Sequence, residues 1–349
     1  MNKQTLIETA QAMVVLDKGL LAMDESTRTC NQRFAMLGIA QNVEMRRAYR
    51  ELLLSTPGMP SYISGVIVCD ETIRQTATDG TPFLKVALDA GLLVGIKVDG
   101  GTTALPSHPS EKVTEGLDGL RERLQSYAAM GARFAKWRGV ISLNNSALPS
   151  LACIQANAHA LARYAALCQE AGLVPIVEPE VLMDGNHTQE RCQQVTEAVL
   201  RSVFEQLSLQ GVVLEAMILK PNMVSAGLRC PDQHTVHEVA DATVQCLLRV
   251  VPAAVAGIAF LSGGQSEPLA SSRLNSMHLS DGSMHKPGAP LRALPWPLSF
   301  SFARALQQPA LEIWAGKDGN RDAAQQALLH RARCNSAARR GDYNAAMEA

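Results

Sequence analysis

Eight short apolar runs, separated by stretches of helical periodicity, constrain this chain more than any other feature. They lie at 20–24, 65–69, 95–99, 132–138, 174–180, 214–223, 257–261 and 298–302. Most do not alternate apolar with polar residues, which is the pattern of strands covered on both faces and paired in parallel. Apolar residues recur at helical spacing over 4–17, 43–54, 82–90, 114–130, 150–171, 188–208 and 235–250, and the chain beyond the last run is helical and increasingly polar. Parallel strands need helical crossovers, and eight such units fit a closed (β/α)8 barrel. No linker divides the chain, so 1–349 is expected to form one barrel domain. An open doubly wound sheet fits less well, because no GxGxxG follows the first strand. The stretches at 100–110 and 277–296, rich in Gly, Pro, Ser and Thr, read as loops.

Composition narrows the function classes. Hydrophobic residues make up 47% and charged residues 19%, enough for a large core. The net charge of −1 gives no global attraction to nucleic acid or to an anionic membrane, so a positive field for an anionic substrate must be local to a pocket. The eight cysteines form no CxxC pair and no zinc spacing with histidine, and they read as reduced thiols of a cytoplasmic protein. The polar amphipathic start at Met1 is no signal core, and no apolar run reaches the roughly 18 residues of a bilayer span.

The most informative run is the sixth, because it ends on Lys220 directly before Pro221. Proline biases the preceding residue to extended geometry, so the strand stops with an amine at its buried end. Such an amine is costly unless it is ion-paired or reactive. In a barrel the C-terminal strand ends form the site. Those positions hold Asp24, Lys97, Lys136, Glu178, Lys220, the Ser262-Gly263-Gly264 turn and Arg304.

Each has a structural reading taken alone. Asp24 could cap a helix, Lys97 could pair with Asp99 or Asp70, Glu178 between prolines could be structural, and Arg304 could cap the final helix. Together they fit Schiff-base chemistry. A free lysine has a pKa near 10.4, so about 0.04% is neutral at pH 7. Burial and a neighbouring cation such as Lys136 lower that value and make the Lys220 amine a nucleophile towards a ketone. Glu178 is a candidate for the proton transfers of imine formation. Asp24 could serve the hydroxyl whose deprotonation breaks a carbon–carbon bond. Backbone N–H groups of the Gly-Gly turn with Arg304 suit a phosphate, and Lys97 with Ser26 and Thr29 suits a second anion.

These residues sit in longer motifs: LLAMDEST at 20–27, GIKVD at 95–99, GLDGLR at 116–121, FAKWR at 134–138, VPIVEPE at 174–180, LKPNMV at 219–224 and FLSGGQSE at 260–267. With them the chain resembles the class I (Schiff-base) fructose-1,6-bisphosphate aldolases along nearly its full length. The resemblance implies Lys220 as the imine lysine, Glu178 as the acid/base, Lys136 beside the imine and Asp24 at the C4 hydroxyl. Glu180 is counted with this catalytic set. Arg33, Ser262, Gly263, Gly264, Ser301 and Arg304 match the C1-phosphate site, and Lys97 and Ser26 the C6-phosphate side, with Thr29 and Arg138 among the substrate contacts. It further implies reversible cleavage of fructose 1,6-bisphosphate to dihydroxyacetone phosphate and glyceraldehyde 3-phosphate. No metal and no cofactor are expected, and the assembly is expected to be a homotetramer.

The chain also departs from the family pattern. Arg28 and Thr29 stand where glycine and serine are usual, and Ala303 replaces a glycine, where its methyl is expected to crowd the phosphate site. The 277–296 loop looks long. The chain runs from Gly341-Asp342-Tyr343 only to Ala349, which suggests a bacterial-type member without the tyrosine-ended tail of the animal enzymes. Two alternatives stay open at this level: a Schiff-base aldolase for another sugar phosphate, and a low-activity paralogue acting as a binding or scaffold protein.

Overall fold

In the computed structural model, which describes residues 2–144, 147–279 and 291–348, the eight apolar runs hydrogen-bond into one sheet. The strands are β1 Gly19–Ala22, β2 Ile63–Val68, β3 Leu93–Lys97, β4 Phe134–Ile141, β5 Val174–Val181, β6 Ile218–Leu219, β7 Gly257–Phe260 and β8 Leu298–Phe302. They close as a barrel in the order β1-β8-β7-β6-β5-β4-β3-β2, every pair parallel. The helices are α1 Lys3–Met13, α2 Thr27–Met36, α3 Val43–Leu54, α4 Asp70–Ile73, α5 Phe83–Asp89, α6 Leu120–Met130, α7 Leu151–Glu170, α8 Gln189–Leu209, α9 Val236–Val250, α10 Glu267–His278, α11 Arg304–Trp314 and α12 Arg321–Arg339.

Strand side chains alternate between two faces, so each strand feeds both the barrel interior and the helical jacket. Leu20, Ala22, Ile67, Phe134, Ile176, Ile218 and Ala259 pack as one inner cluster with Leu6, Ala10 and Met13 of α1, which closes that end. The jacket side holds a larger cluster, with Tyr49 stacked on Trp314 and Trp137 on Tyr164. Gly95 is required by this packing. A Cβ there would lie 2.0 Å from the Phe134 ring, which fills the space across from β3.

Two residues beyond Phe134 on the same face of β4 comes Lys136, and then Arg138. On β5, Ile176 is followed by Glu178 and Glu180. The register sets Arg138 opposite Glu178 and Lys97 opposite Lys136. An apolar floor thus gives way to an ionic layer at the C-terminal end.

Several local expectations are corrected. The helix expected over 4–17 stops at Met13. The sixth strand spans only Ile218–Leu219, because a 3-10 turn occupies Leu214–Ala216. The 100–110 segment contributes Thr102–Ala104 to an antiparallel hairpin with Lys112–Thr114, so α6 starts at Leu120 rather than 114. Residues after Asp24 form α2, capped by the Ser26 hydroxyl accepting from the Thr29 N–H. Periodicity over 43–54 puts Arg46 and Arg50 on the polar side of α3, yet both are buried against Glu71 and Glu25. Of the loop expected at 277–296, residues 280–290 lie outside the described residues, and α10 itself runs to His278.

Candidate active site

The ionic layer opens into a cleft of about 1310 Å³. Asp24, Ser26, Thr29, Arg33, Lys97, Lys136, Arg138, Glu178, Glu180, Lys220, Ser262, Gly263, Gly264, Ser301 and Arg304 all line it, so every site residue expected from the sequence converges there.

At its base Lys136 Nζ lies 2.8 Å from Asp24 Oδ2 and 3.3 Å from Glu178 Oε2. Lys220 Nζ lies 3.3 Å from Glu178 Oε1. Glu178 therefore bridges two ammonium positions, and all four side chains are buried. Burial alone would lower the Lys136 pKa, but Asp24 and Glu178 outweigh it and push it well above the usual lysine range. Burial alone would raise the Asp24 carboxyl, but Lys136 and then Lys220 bring it down to about 2. Asp24 caps no helix, and Lys220 shares its carboxylate partner with a better-paired neighbour.

Backbone bonds fix these positions. The Lys220 N–H donates to Val177 O at 2.8 Å, which extends the β5–β6 ladder to the lysine itself. Asn222, two residues on, accepts from the Val181 N–H at 3.0 Å through its side chain.

Around the rim most cations are paired. Lys97 Nζ contacts Asp99 Oδ1 at 2.6 Å and Asp99 O at 2.9 Å. Arg138 pairs with Glu180. Arg33 meets Glu25 Oε1 at 2.7 Å, and Arg50 meets Glu25 Oε2 at 2.8 Å. Burial raises the Glu25 carboxyl, but Arg50 and Arg33 together lower it below its ordinary value.

One side of the cleft differs. Arg304 is exposed and donates to Gly263 O at 2.7 Å. The Ser301 hydroxyl, 1% exposed, has no hydrogen-bond partner among the described residues. Gly263 sits at φ +56°, a left-handed value that suits glycine in a turn presenting its N–H groups. Ala303 adopts φ −104°, outside the left-handed region; it packs against the inner cluster and also lines the cleft beside Arg304.

A model of the family described as "Glycolytic: Fructose-bisphosphate aldolase class-I" matches residues 5–349. The chain belongs to the class I fructose-bisphosphate aldolase family. Among its relatives is the probable class 1 fructose-bisphosphate aldolase of Xanthomonas campestris pv. campestris, 55% identical over 98% of this chain and 99% of that one. Fructose-bisphosphate aldolase B of Gallus gallus is 49% identical over 98% of this chain and 91% of its own. The solved aldolase of Plasmodium falciparum, in complex with TRAP and a small-molecule inhibitor, has a TM-score of 0.92 at 44% identity, covering 98% of this chain and 95% of that one.

Within this aldolase cleft, sequence reasoning overlooked several supports. Gln307 donates to Ala22 O and to Glu25 Oε1, and accepts from the Tyr49 hydroxyl at 3.0 Å. Glu25 itself stands beside Asp24 in the DEST motif, a signal that pointed to it. Among the described residues, His330, Cys334 and Glu348 could offer three metal ligands, but they lie outside the cleft, and Arg331 and Tyr343 already hold Glu348.

Proposed function

We propose that the chain cleaves fructose 1,6-bisphosphate reversibly to dihydroxyacetone phosphate and glyceraldehyde 3-phosphate through an imine on Lys220. The observation that carries this reading is the buried Glu178 carboxylate, set 3.3 Å from each of two lysines. Its family membership supports the reaction, and the pairing supports the roles. Lys136, gripped by Asp24 and Glu178, stays an ammonium and is a poor nucleophile. Among the described residues Lys220 contacts one carboxylate, Glu178, and it takes the nucleophile's role.

In this account Lys220 Nζ attacks the substrate C2 carbonyl, forming a C–N bond. Glu178 relays protons as the carbinolamine loses water. The resulting iminium accepts the electron pair of the C3–C4 bond as the C4 hydroxyl gives its proton to Asp24. Glyceraldehyde 3-phosphate leaves, the enamine is protonated at C3, and hydrolysis of the imine frees dihydroxyacetone phosphate. Glu180, held by Arg138, lies one pleat beyond Glu178 and supports the same proton network.

The phosphate nearer the imine is assigned to Arg304, Arg33, Ser301 and the Ser262–Gly264 turn, where the Ser301 hydroxyl has no partner among the described residues and the Arg304 guanidinium is exposed. The second is assigned to Lys97, Ser26 and Thr29, at the N-terminus of α2, whose free N–H groups favour an anion. The chain is proposed to act as one domain over 1–349, as a cytoplasmic homotetramer without nucleic-acid or membrane partners. Among the described residues no helix is long and apolar enough to cross a membrane, and light scattering gives the assembled mass. A coupled dehydrogenase assay tests the activity: turnover of the bisphosphate that persists in EDTA is expected, and turnover abolished by EDTA would overturn the proposal.

A further inference from the structure

Behind the Ser262–Gly264 turn lies a buried cation that the reaction does not use directly. Arg273, on α10, is 4% exposed, and its Nε has no hydrogen-bond partner among the described residues. Its Nη1 donates to the Gln265 side-chain oxygen at 2.9 Å, and no carboxylate forms an ion pair with it among the described residues. Burial pulls its pKa down to about 10. A buried guanidinium carries a desolvation cost, and among the described residues no carboxylate offsets it.

Gln265 links this cation to the turn. Its Nε2 donates to Ser262 O at 3.0 Å, and its backbone N–H reaches the same carbonyl at 3.2 Å. Its amide is 7% exposed and also touches Met223 Sδ at 3.5 Å. A guanidinium can only donate, so Arg273 dictates which end of the amide faces it. The oxygen turns towards α10 and the NH₂ towards Ser262 O. The reversed amide would set two acceptors against each other at Ser262 and two donors at Arg273. The turn is thus braced on one side by Arg273 through Gln265 and on the other by Arg304 at Gly263 O.

We propose that Arg273 is a positioning residue for the phosphate subsite: it locks the Gln265 amide so that the Ser262–Gly264 N–H groups stay aimed at a phosphoryl dianion, and its positive charge lies behind them. This rests on the assignment of that turn as a phosphate subsite. Its ligand is a phosphoryl group on the substrate or inorganic phosphate.

The test uses the full-length enzyme with Arg273→Met, Arg273→Lys, Gln265→Glu and, as a control on the subsite itself, Arg304→Ala. KM and kcat for fructose 1,6-bisphosphate, the inhibition constant of inorganic phosphate and the melting temperature are measured for each. Arg273→Met is expected to raise KM and the phosphate constant by about ten-fold, the scale of one lost charge-assisted contact, with a smaller effect on kcat. Arg273→Lys, which keeps the charge, is expected to recover part of that loss. Gln265→Glu neutralises Arg273 and removes the donor to Ser262 O, so it should weaken phosphate by a similar factor, and it keeps the test readable if Arg273→Met does not fold. A lower melting temperature with an unchanged phosphate constant in both variants would overturn the proposal. If Arg304→Ala weakens phosphate and the Arg273 and Gln265 variants do not, the positioning role alone fails. If Arg304→Ala also leaves phosphate binding unchanged, the subsite assignment fails with it.

Discussion

Replacing Asp24 by Asn removes one charge from a buried cluster while keeping the side chain's shape. Lys136 would lose its 2.8 Å partner and keep only Glu178 at 3.3 Å. Burial raises the Asp24 carboxyl, but Lys136 and Lys220 reverse this, and its pKa falls from 3.8 to about 2. A depressed carboxylate contributes stability that is present above its unfolded value and lost as pH falls through its folded value. A shift of roughly two units corresponds to about 2–3 kcal/mol at neutral pH. Asp24→Asn should therefore melt about 3 °C lower at pH 7. Calorimetry should show that gap closing as pH drops from about 4 to about 2, the window set by the two values. The same change removes the proposed base for the C4 hydroxyl, so kcat should fall by about 10²–10⁴. Covalent trapping on Lys220 should persist, since its carboxylate partner is untouched. A melting gap that is absent at pH 7, or one that does not narrow in acid, would refute the ionic account. A kcat within a few-fold of the parent would refute the chemical role.

Three further outcomes are expected. Lys97→Met should raise KM for the bisphosphate by roughly ten-fold or more while sparing a ketose carrying only the C1 phosphate; an equal loss on both, in the coupled dehydrogenase assay, would remove Lys97 from the second phosphate. Gly95→Ala puts a Cβ 2.0 Å from the Phe134 ring and should cost about 1–3 kcal/mol or more in urea unfolding, with no such cost if the barrel floor has slack. Arg50→Met removes one of the two guanidinium partners of buried Glu25, which keeps Arg33, and should destabilise the fold by about 1–3 kcal/mol in urea unfolding, whereas an exposed pair would cost under about 1.

The barrel is legible in the chain because its strands are buried on both faces and so remain apolar throughout. The cluster at the strand ends is legible for the opposite reason: Lys136, Glu178 and Lys220 are polar where such strands have no structural need of polarity. What escapes sequence reading depends on partners far along the chain. Arg46 and Arg50 share a helix face with surface residues by periodicity, yet Glu71 and Glu25 draw them inside. The hairpin between 102 and 114 closes over polar residues with no apolar alternation to announce it. The shortness of β6 follows from the turn at Leu214–Ala216, whose apolar side chains look like strand. Arg273 hides in the same way, as one more charge on a helix until Gln265 is seen to face it.

The central claim is that Lys220, and not its better-paired neighbour Lys136, carries the covalent intermediate. Borohydride reduction in the presence of fructose 1,6-bisphosphate, followed by peptide mapping, tests it most directly. The account predicts a single reduced adduct on the peptide bearing Lys220, absent in Lys220→Met. An adduct on Lys136 or Lys97, or full turnover with no adduct at all, would contradict it.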